Sequence, residues 1–577
     1  MINAVNELRK HGYQFADNIK EMIISSETKI INQKLYYKNI PEGLLLLTYY
    51  SVNNEHISFT NNFKTFGTMI DLSRGAVFNV NYIKELIRKK AMMGVNEIWL
   101  YMEDVYELEK YPIFGYNRGK YTKKELIEIV KYSKIFGVKL IPTIQTLGHM
   151  EQFLSWYQTS KYKDQSNVLL VGLDETYELI NEMFSVLYSI FETTKIHVGL
   201  DETFGFGFGN YYKKNGYQRP INVFLEHLNK VNDLAIKNGF KDILIWSDMF
   251  FRFHSKTNYY YDTEIEFTKE IISKIPENVK LVYWDYYNNN LDKITKMLEN
   301  HLKLSRNIIF ASGTWIWTRF TYDKKKTDDT AMKHLDAAIK KNIDEFILTQ
   351  WMDDGAYGNH ITTLLGVFEL SVKANIKNQK SNDVYKFIVK EEYDDSLLRT
   401  KLNDTKFSQV GVLWDEILFS PYLNNQTGNE INKYLDLIKE QRKLVNLYKN
   451  KDLFDFEYTI ASINFYKIKA KYKFLQAYLN NERINVKNEY KKMIFHLKRL
   501  NNIYRSFWYK RYKLNGFEII QSRLATQIIR ANEMIEIARQ YNDGIIKEIP
   551  ELSNDVAIKN DVVFEKYSNI AYTTKPF

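Results

Sequence analysis

Cysteine is absent from the 577 residues, which excludes disulfides and thiolate metal sites and ties the chain to no oxidising compartment. Proline occurs only 8 times, and no Pro-rich or Gly/Ser linker interrupts the sequence. The longest apolar run, around Leu44–Leu47, is far too short to cross a bilayer. The first ten residues lack the continuous apolar core of a signal peptide. We therefore expect a cytoplasmic protein without a membrane partner.

Histidine is scarce and scattered. The ten residues include no His-x-x-x-His pair on a predicted helix, so we expect no catalytic zinc or other metal site. The net charge of +10 raises nucleic-acid binding as one interpretation. However, acidic residues are interspersed among the basic ones. The densest basic stretches, Lys467–Lys473 and Lys491–Lys513, carry Tyr, Phe and Leu at helical spacing. We expect these lysines to form the solvated face of packed helices, and no nucleic-acid partner.

Short apolar runs alternate with helically spaced segments through the first two thirds of the chain. The eight runs are Thr68–Asp71, Asn96–Met102, Lys139–Thr146, Lys195–Glu202, Asp242–Met249, Val279–Tyr286, Asn307–Thr314 and Asp344–Trp351. Continuous apolar strands joined by helices predict a parallel sheet that is buried on both faces. Eight such units in about 310 residues fit an α/β fold of the (β/α)8 TIM barrel type, which takes about 250 residues plus insertions. A doubly wound open sheet is the alternative.

Carboxylates and aromatic side chains follow nearly every one of these runs. In chain order they are Asp71, Arg74, Glu103, Asp104, His149, Glu151, Asp201, Glu202, Trp246, Asp248, Trp284, Asp285, Tyr286, Trp315, Trp317, Trp351 and Asp353. In a barrel, catalytic groups come from the C-terminal ends of several different strands, so this pattern favours the barrel over the open sheet. At these positions Trp246, Trp284, Trp315 and Trp351 are expected to stack on a ligand and not to pack in the core.

The pattern divides the chain into three predicted domains. Residues 1–65 form a small N-terminal α/β domain with strands at Gly43–Ser51 and His56–Thr60, and residues 66–375 form the barrel. Residues 376–577 form an α-helical C-terminal domain. Its long amphipathic segments are Glu430–Leu447, Phe456–Leu479, Lys487–Ile503 and Glu518–Gln540.

The absence of other catalytic motifs narrows the set of possible reactions. Gly205–Asn210 lacks the spacing of a phosphate-binding loop and is expected to be a flexible loop after the fourth barrel strand. No G-x-S-x-G elbow offers a nucleophilic serine. Asp201 and Glu202 are consecutive, and neighbours on an extended segment point in opposite directions. They cannot easily face a sugar from its two sides, but they can act on different atoms of one substrate, as in substrate-assisted glycoside hydrolysis.

At this point a family resemblance supports the same chemistry. His197-Val198-Gly199-Leu200-Asp201-Glu202 resembles the H-x-G-x-D-E signature of glycoside hydrolase family 20, the β-N-acetylhexosaminidases. Other strand ends agree with it in order, namely Met69–Arg74, Thr146–His149 and Trp351–Asp353. The sequence looks like a divergent bacterial-type branch of the family.

The resemblance implies an exo-acting enzyme that removes terminal β-linked GlcNAc with net retention and no cofactor, and it leaves open whether GalNAc is also a substrate. The 2-acetamido carbonyl of the substrate would attack the anomeric carbon to form an oxazolinium intermediate. Asp201 would orient and charge-stabilise the acetamido nitrogen, and Glu202 would act as general acid and then as base. Burial or the charge of Asp201 should therefore raise the pKa of Glu202.

The resemblance also implies sugar-binding roles. Arg74 would bind the O3 and O4 hydroxyls, unless it forms only a structural salt bridge at the barrel mouth. Asp353 would bind O4 and O6, and Trp351 would support the sugar. Trp246 and Trp284 would form walls around the acetamido group. His149 either contacts the sugar or holds a loop. The partner would be a small oligosaccharide or a glycan terminus.

Three positions depart from the family pattern. Leu200 replaces the second glycine of the signature, and Asp353 replaces a longer glutamate, which is expected to relax discrimination between gluco and galacto sugars. The family's strand 7 tyrosine has no counterpart, and Tyr286 is the candidate for its contact with the acetamido carbonyl. Two other functions stay open at this point: a catalytically silent glycan-binding barrel, and an exo-glycosidase for a non-acetylated hexose or hexosamine. The oligomeric state is also open.

Overall fold

The computed structural model describes residues 1–53, 57–60, 62–353, 355–376, 381–427 and 430–553. His56, at the start of the second predicted N-terminal strand, lies outside the described residues. So do residues 377–380, 428–429 and 554–577 of the predicted helical region. Within the described part of the chain, no helix is long and apolar enough to cross a membrane.

A closed parallel barrel forms the centre of the structure. Among the described residues its strands are β4 (Thr65–Asp71), β5 (Glu97–Tyr101), β6 (Lys139–Thr143), β9 (Lys195–His197), β10 (Asp242–Trp246), β11 (Val279–Trp284), β12 (Ile308–Gly313) and β13 (Glu345–Gln350). The barrel closes because β13 pairs in parallel with β4, with Glu345 opposite Thr65. Each predicted run overlaps one of these strands, so the barrel is confirmed and the open sheet is wrong.

Helices surround the barrel. The longer ones are Val80–Met92, Lys123–Ile135, Asp174–Phe191, Pro220–Lys237, Leu291–Leu304, Lys324–Lys340 and Leu364–Asn375. Shorter elements in the loops are Glu151–Leu154, Tyr157–Tyr162, Asn210–Asn215, Asp248–His254, Lys269–Ser273 and His360–Thr363, with a hairpin of β7 (Lys163–Gln165) and β8 (Val168–Leu169). Local chemistry fixes their starts. Lys123–Ile135, for example, begins at a capping box of Thr122 and Glu125, which satisfies free backbone N–H groups at the helix start.

The N-terminal region is α/β, but its strands lie elsewhere than predicted. They are β1 (Glu21–Ile24), β2 (Lys29–Ile31) and β3 (Lys34–Tyr37), with helices at Ile2–Lys10 and Ile40–Asn53. The predicted strand Gly43–Ser51 is wrong because it lies inside the second helix. That helix is buried on all sides from Pro41 to Tyr50, and a continuous apolar run fits a buried helix as well as a strand. Of the predicted strand His56–Thr60, the described part forms only an isolated bridge from Phe59 to Ile376.

The C-terminal region is helical, as predicted. Its elements are Asn382–Val389, Tyr393–Thr400, Lys401–Asn403, Gln409–Trp414, Pro421–Thr427, Ile431–Tyr448, Asp452–Phe454, Asp455–Leu479, Lys487–Arg511, Phe517–Asn542 and Pro550–Ser553. The four long predicted helices match four of these within a few residues, except that the third extends to Arg511. We place the domain boundaries near residues 65 and 375, as a proposal.

Two lysines of the basic stretch are buried instead of solvated. Lys467 Nζ donates hydrogen bonds to the carbonyl oxygens of Leu413 and Asp415, at 3.0 and 2.5 Å. Lys471 donates to the carbonyl of Leu418. Backbone carbonyls at the end of helix Gln409–Trp414 thus gain partners from the neighbouring long helix, which compensates for removing the ammonium groups from water.

Candidate active site

The Asp201–Glu202 pair sits on a strained turn at the C-terminal end of β9. Leu200 and Glu202 have φ of 74° and 48°, in the left-handed region that costs a non-glycine residue about 1–3 kcal/mol and that clusters at functional sites. Leu200 stands where the family signature has its second glycine, and its φ explains why glycine suits that position. A Cβ at Gly199 would lie 2.0 Å from Gln145 Oε1, so the first glycine permits a close contact with the chain after β6.

Asp201 is held as an anion. Gln145 Nε2 donates to Asp201 Oδ1 at 2.8 Å, and His149 Nε2 lies 3.2 Å from Asp201 Oδ2. Burial raises the pKa of Asp201, but the charge and contact of His149 together with the Gln145 hydrogen bond outweigh burial and lower it. At neutral pH the carboxylate is therefore ionised.

His149 carries the matching positive charge. Burial lowers the pKa of the imidazole, but the adjacent Asp201 carboxylate opposes burial and raises the pKa to about 9. The same Nε2 lies 3.8 Å from Glu202 Oε2. His149 thus connects the two carboxylates, and its φ of 52° shows that its loop is held in a strained conformation to place it there.

Glu202 has the opposite electrostatic environment from Asp201. Burial, and then the negative charge of Asp201, raise its pKa, which confirms the direction expected from the sequence. The Glu202 backbone N–H donates to Asp248 Oδ2 at 3.1 Å. Arg252 Nε donates to the same oxygen at 3.0 Å, and Arg252 Nη2 lies 3.6 Å from Glu202 Oε1. Asp248 and Arg252 therefore fix both the backbone and the carboxylate of Glu202.

Arg74 and Asp353 form an ion pair between the loops after β4 and β13. Arg74 Nη1 donates to Asp353 Oδ1 at 2.5 Å, and Arg74 Nε donates to Glu103 Oε1 at 3.2 Å. The guanidinium carbon lies 5.4 Å from the centre of the Trp351 ring. The pair presents a cation and an anion side by side, an arrangement that suits the vicinal hydroxyls of a sugar.

One pocket brings most of the predicted residues together. The empty space within it is about 480 Å³, which includes open solvent at its mouth. The residues that line it are Arg74, His149, Asp201, Glu202, Trp246, Trp284, Tyr286, Tyr287, Trp317, Trp351 and Asp353. Trp284 donates its indole N–H to Asp248 Oδ1 at 3.4 Å and stacks on Tyr286, with ring centres 5.5 Å apart.

Trp317 lines this pocket, whereas the predicted Trp315 lies beside it. The two rings stack with centres 4.0 Å apart, and Lys326 Nζ lies 5.2 Å from the centre of the Trp315 ring. Strand β12 ends at Gly313, before both tryptophans, so alternation along the strand does not decide which of them faces the pocket. A contact of Trp315 with substrate stays a prediction, as do the other assigned roles.

Sequence reasoning missed Gln145, Arg252 and Tyr287. Arg252 could have been predicted from the sequence, because it follows Asp248 by four residues and so lies on the same face of helix Asp248–His254. Gln145 and Tyr287 could not, because their importance depends on partners from other strands. Among the described residues, no group of three or more His, Asp or Glu side chains is arranged to hold a metal ion.

A parallel barrel whose C-terminal edge holds two carboxylates in different environments, within an aromatic pocket, is typical of a glycoside hydrolase. Comparison with known proteins specifies this class. Residues 63–341 match the family model described as glycosyl hydrolase family 20, catalytic domain. Residues 392–568 match the model described as glycoside hydrolase 20C C-terminal domain. The chain belongs to glycoside hydrolase family 20.

The chain is similar to two hexosaminidases at low identity. Hexosaminidase D of Bos taurus is 24% identical over 221 residues, which cover 37% of this chain and 60% of that protein. The beta-hexosaminidase subunit beta of Mus musculus is 24% identical over 177 residues, 26% of this chain and 32% of that protein. This chain thus spans less than two thirds of either relative. The solved GH20 exo beta-N-acetylglucosaminidase of Vibrio harveyi is 14% identical with a TM-score of 0.48, over 70% of this chain and 71% of that one.

Proposed function

We propose that this protein is an exo-acting β-N-acetylhexosaminidase that removes terminal β-linked GlcNAc, and also GalNAc, from glycans. Hydrolysis proceeds with retention and with the substrate's own acetamido group as the nucleophile. The proposal rests on the opposite pKa shifts of two adjacent carboxyl groups. The pKa of Asp201 is lowered, mainly by His149 against burial, whereas burial and Asp201 raise the pKa of Glu202.

That contrast matches the two tasks of substrate-assisted hydrolysis. The Asp201 anion accepts a hydrogen bond from the acetamido N–H and stabilises the positive charge that develops on the nitrogen. The acetamido carbonyl oxygen can then bond to C1 while Glu202 gives its proton to the departing glycosidic oxygen. The products of this step are an oxazolinium ion, a free alcohol and a Glu202 carboxylate.

The second step returns Glu202 to its starting state. A water molecule gives a proton to the Glu202 carboxylate and bonds to C1, and the C1–O bond of the oxazolinium breaks. Two inversions at C1 give net retention. Because one group alternates between acid and base, its pKa should lie close to the working pH, and the raised pKa of Glu202 supports this role.

The rest of the pocket supports a single terminal sugar as the ligand. The Arg74–Asp353 pair would hold hydroxyls of that sugar, with Asp353 Oδ1 and Arg74 Nη1 only 2.5 Å apart. Trp246, Trp284 and Trp351 supply apolar faces for the ring and the acetamido methyl group. A silent glycan-binding barrel would have no use for a carboxyl group whose pKa is raised beside an anion.

The test uses four aryl glycosides: β-N-acetylglucosaminide, its galacto epimer, and the plain β-glucoside and β-galactoside. We expect cleavage of the two acetamido sugars only, with inhibition by a thiazoline that mimics the oxazolinium ion. Cleavage of the plain glycosides would contradict the mechanism. Thiazoline binding without any cleavage would contradict the activity and point to a glycan-binding protein.

A further inference from the structure

The turn between helices Lys487–Arg511 and Phe517–Asn542 contacts the mouth of the barrel. Lys513 N–H donates to the carbonyl of Val77 at 2.7 Å, and Asn515 Nδ2 donates to the carbonyl of Asn117 at 2.9 Å. Arg511 Nη1 donates to Asn359 Oδ1 at 2.6 Å. The C-terminal helices thus bond to the loops that follow β4, β5 and β13, and the first and last of these loops carry Arg74 and Asp353.

Three glycines stack where this turn meets the loops. A Cβ at Gly516 would lie 1.5 Å from the carbonyl oxygen of Gly75. A Cβ at Gly75 would lie 3.1 Å from Gly355 Cα, and one at Gly355 would lie 3.3 Å from Ile519 Cγ2. All three glycines have φ between 97° and 103°, which L side chains rarely adopt. We call Gly516, Gly75 and Gly355 the glycine junction.

The junction lies next to the sugar-binding pair in the sequence as well as in space. Gly75 directly follows Arg74, and Gly355 lies two residues after Asp353. The two loops approach each other backbone to backbone at the junction, and the side chains before it meet at 2.5 Å. Since backbone atoms in direct contact cannot yield as a flexible side chain can, a displacement of Gly516 must move Gly75 and with it Arg74.

We propose that the C-terminal helical domain positions the Arg74–Asp353 pair through the glycine junction and thereby sets recognition of the terminal sugar's hydroxyls. Gly516 and Ile519 are positioning residues and do not touch substrate. The inference rests on the proposed function for the identity of the sugar, but the link between the helical turn and the two loops rests on the contacts themselves.

The test combines a protein change with a matched substrate change. Gly516→Ala is compared with Gly544→Ala, because Gly544 also has a left-handed φ, of 73°, but nothing within 4 Å of its Cβ position. Each variant is assayed on aryl β-N-acetylglucosaminide and on its 4-deoxy analogue, which lacks a hydroxyl that the pair would bind. Thermal unfolding of each variant is recorded in parallel.

For Gly516→Ala we expect kcat/KM on the parent sugar to fall on the order of 10- to 100-fold, the cost of misplacing a binding group by about 1 Å. The 4-deoxy sugar should lose less than the parent sugar, because it lacks the O4 contacts and keeps only those at O3 and O6. Gly544→Ala should leave both substrates unchanged. Equal losses on both sugars would overturn the proposal, since a purely structural effect does not distinguish the two sugars. No loss on either sugar would also overturn it.

A milder variant keeps the test usable if Gly516→Ala does not fold. Ile519 is 38% exposed, so Ile519→Ala should fold normally while it removes the Cγ2 methyl group that lies 3.3 Å from the position of a Cβ at Gly355. We expect a smaller loss that is greater on the parent sugar than on the 4-deoxy sugar, and equal losses on both sugars would again overturn the proposal. Failure of the wild-type protein to cleave any acetamido sugar would instead contradict the proposed function.

Discussion

Replacement of Asp201 by asparagine should remove the positive charge of His149 at neutral pH. The change keeps the size of the side chain and a hydrogen-bond acceptor for the site but removes the negative charge 3.2 Å from His149 Nε2. Burial of the imidazole, which lowers its pKa, remains. We therefore expect the pKa of His149 to fall from about 9 in the wild-type protein to below the ordinary value of a histidine.

The structure gives the size of this effect. A rise from 6.5 to about 9 corresponds to a preference of about 3 kcal/mol for the imidazolium, at about 1.4 kcal/mol per pH unit. Because the pKa is raised on folding, this stabilisation is fully present below pH 6.5 and is lost as the pH rises through about 9. The side chain of His149 is only 16% exposed, so solvent screening reduces the figure little. Asp201→Asn should remove this stabilisation, so the free energy of unfolding should decline less between pH 6.5 and about 9.

The assay is an NMR titration of protein labelled at its ten histidines, with the His149 signal identified by its disappearance in His149→Gln. Asp353→Asn is the matched control, since it removes another pocket carboxylate whose partner is Arg74. In that control the pKa of His149 should stay near 9. A pKa that stays near 9 in Asp201→Asn as well would refute the electrostatic account of the site.

Three further changes test other parts of the site. Glu202→Gln should reduce hydrolysis of substrates with poor leaving groups by on the order of 10²- to 10⁴-fold and should retain sugar binding. It should also abolish the fall in rate as pH rises through the raised pKa of Glu202. Near wild-type turnover in pH-rate assays would contradict the role of Glu202 as the general acid. Leu200→Gly relieves about 1–2 kcal/mol of left-handed strain but removes a fully buried side chain, at a cost of about 2–5 kcal/mol. The lost burial should outweigh the relieved strain, so denaturant unfolding should show a net loss of stability. A more stable variant would contradict this comparison. Asp353→Glu should sharpen the preference for the gluco over the galacto acetamido sugar, and an unchanged epimer ratio in kcat/KM would argue against contact of Asp353 with O4.

The barrel could be predicted because parallel strands are buried on both faces and read as continuous apolar runs. The same signal failed for Gly43–Ser51, since helix Ile40–Asn53 is buried all round and shows no periodicity. Strands β1 to β3 were missed because they are three or four residues long and partly exposed. Such short segments give too few residues for a period of two to emerge.

For the site, sequence order located the strand ends but not the partners across the barrel. Asp201 and Glu202 were recognisable from their spacing after an apolar run. The charge on His149 and the raised pKa of Glu202 depend on distances between loops that lie far apart in the chain. The glycine junction was invisible for the same reason, since Gly75 and Gly516 are separated by most of the protein.

The proposed function requires the substrate's acetamido carbonyl to be the nucleophile. The most direct measurement compares kcat/KM for aryl β-N-acetylglucosaminides whose acetyl group carries no, one, two or three fluorine atoms. Each fluorine withdraws electrons from the carbonyl oxygen and weakens it as a nucleophile without changing the leaving group. We expect a steep decline across the series. Rates that stay level would show that another group attacks the anomeric carbon and would contradict substrate-assisted catalysis.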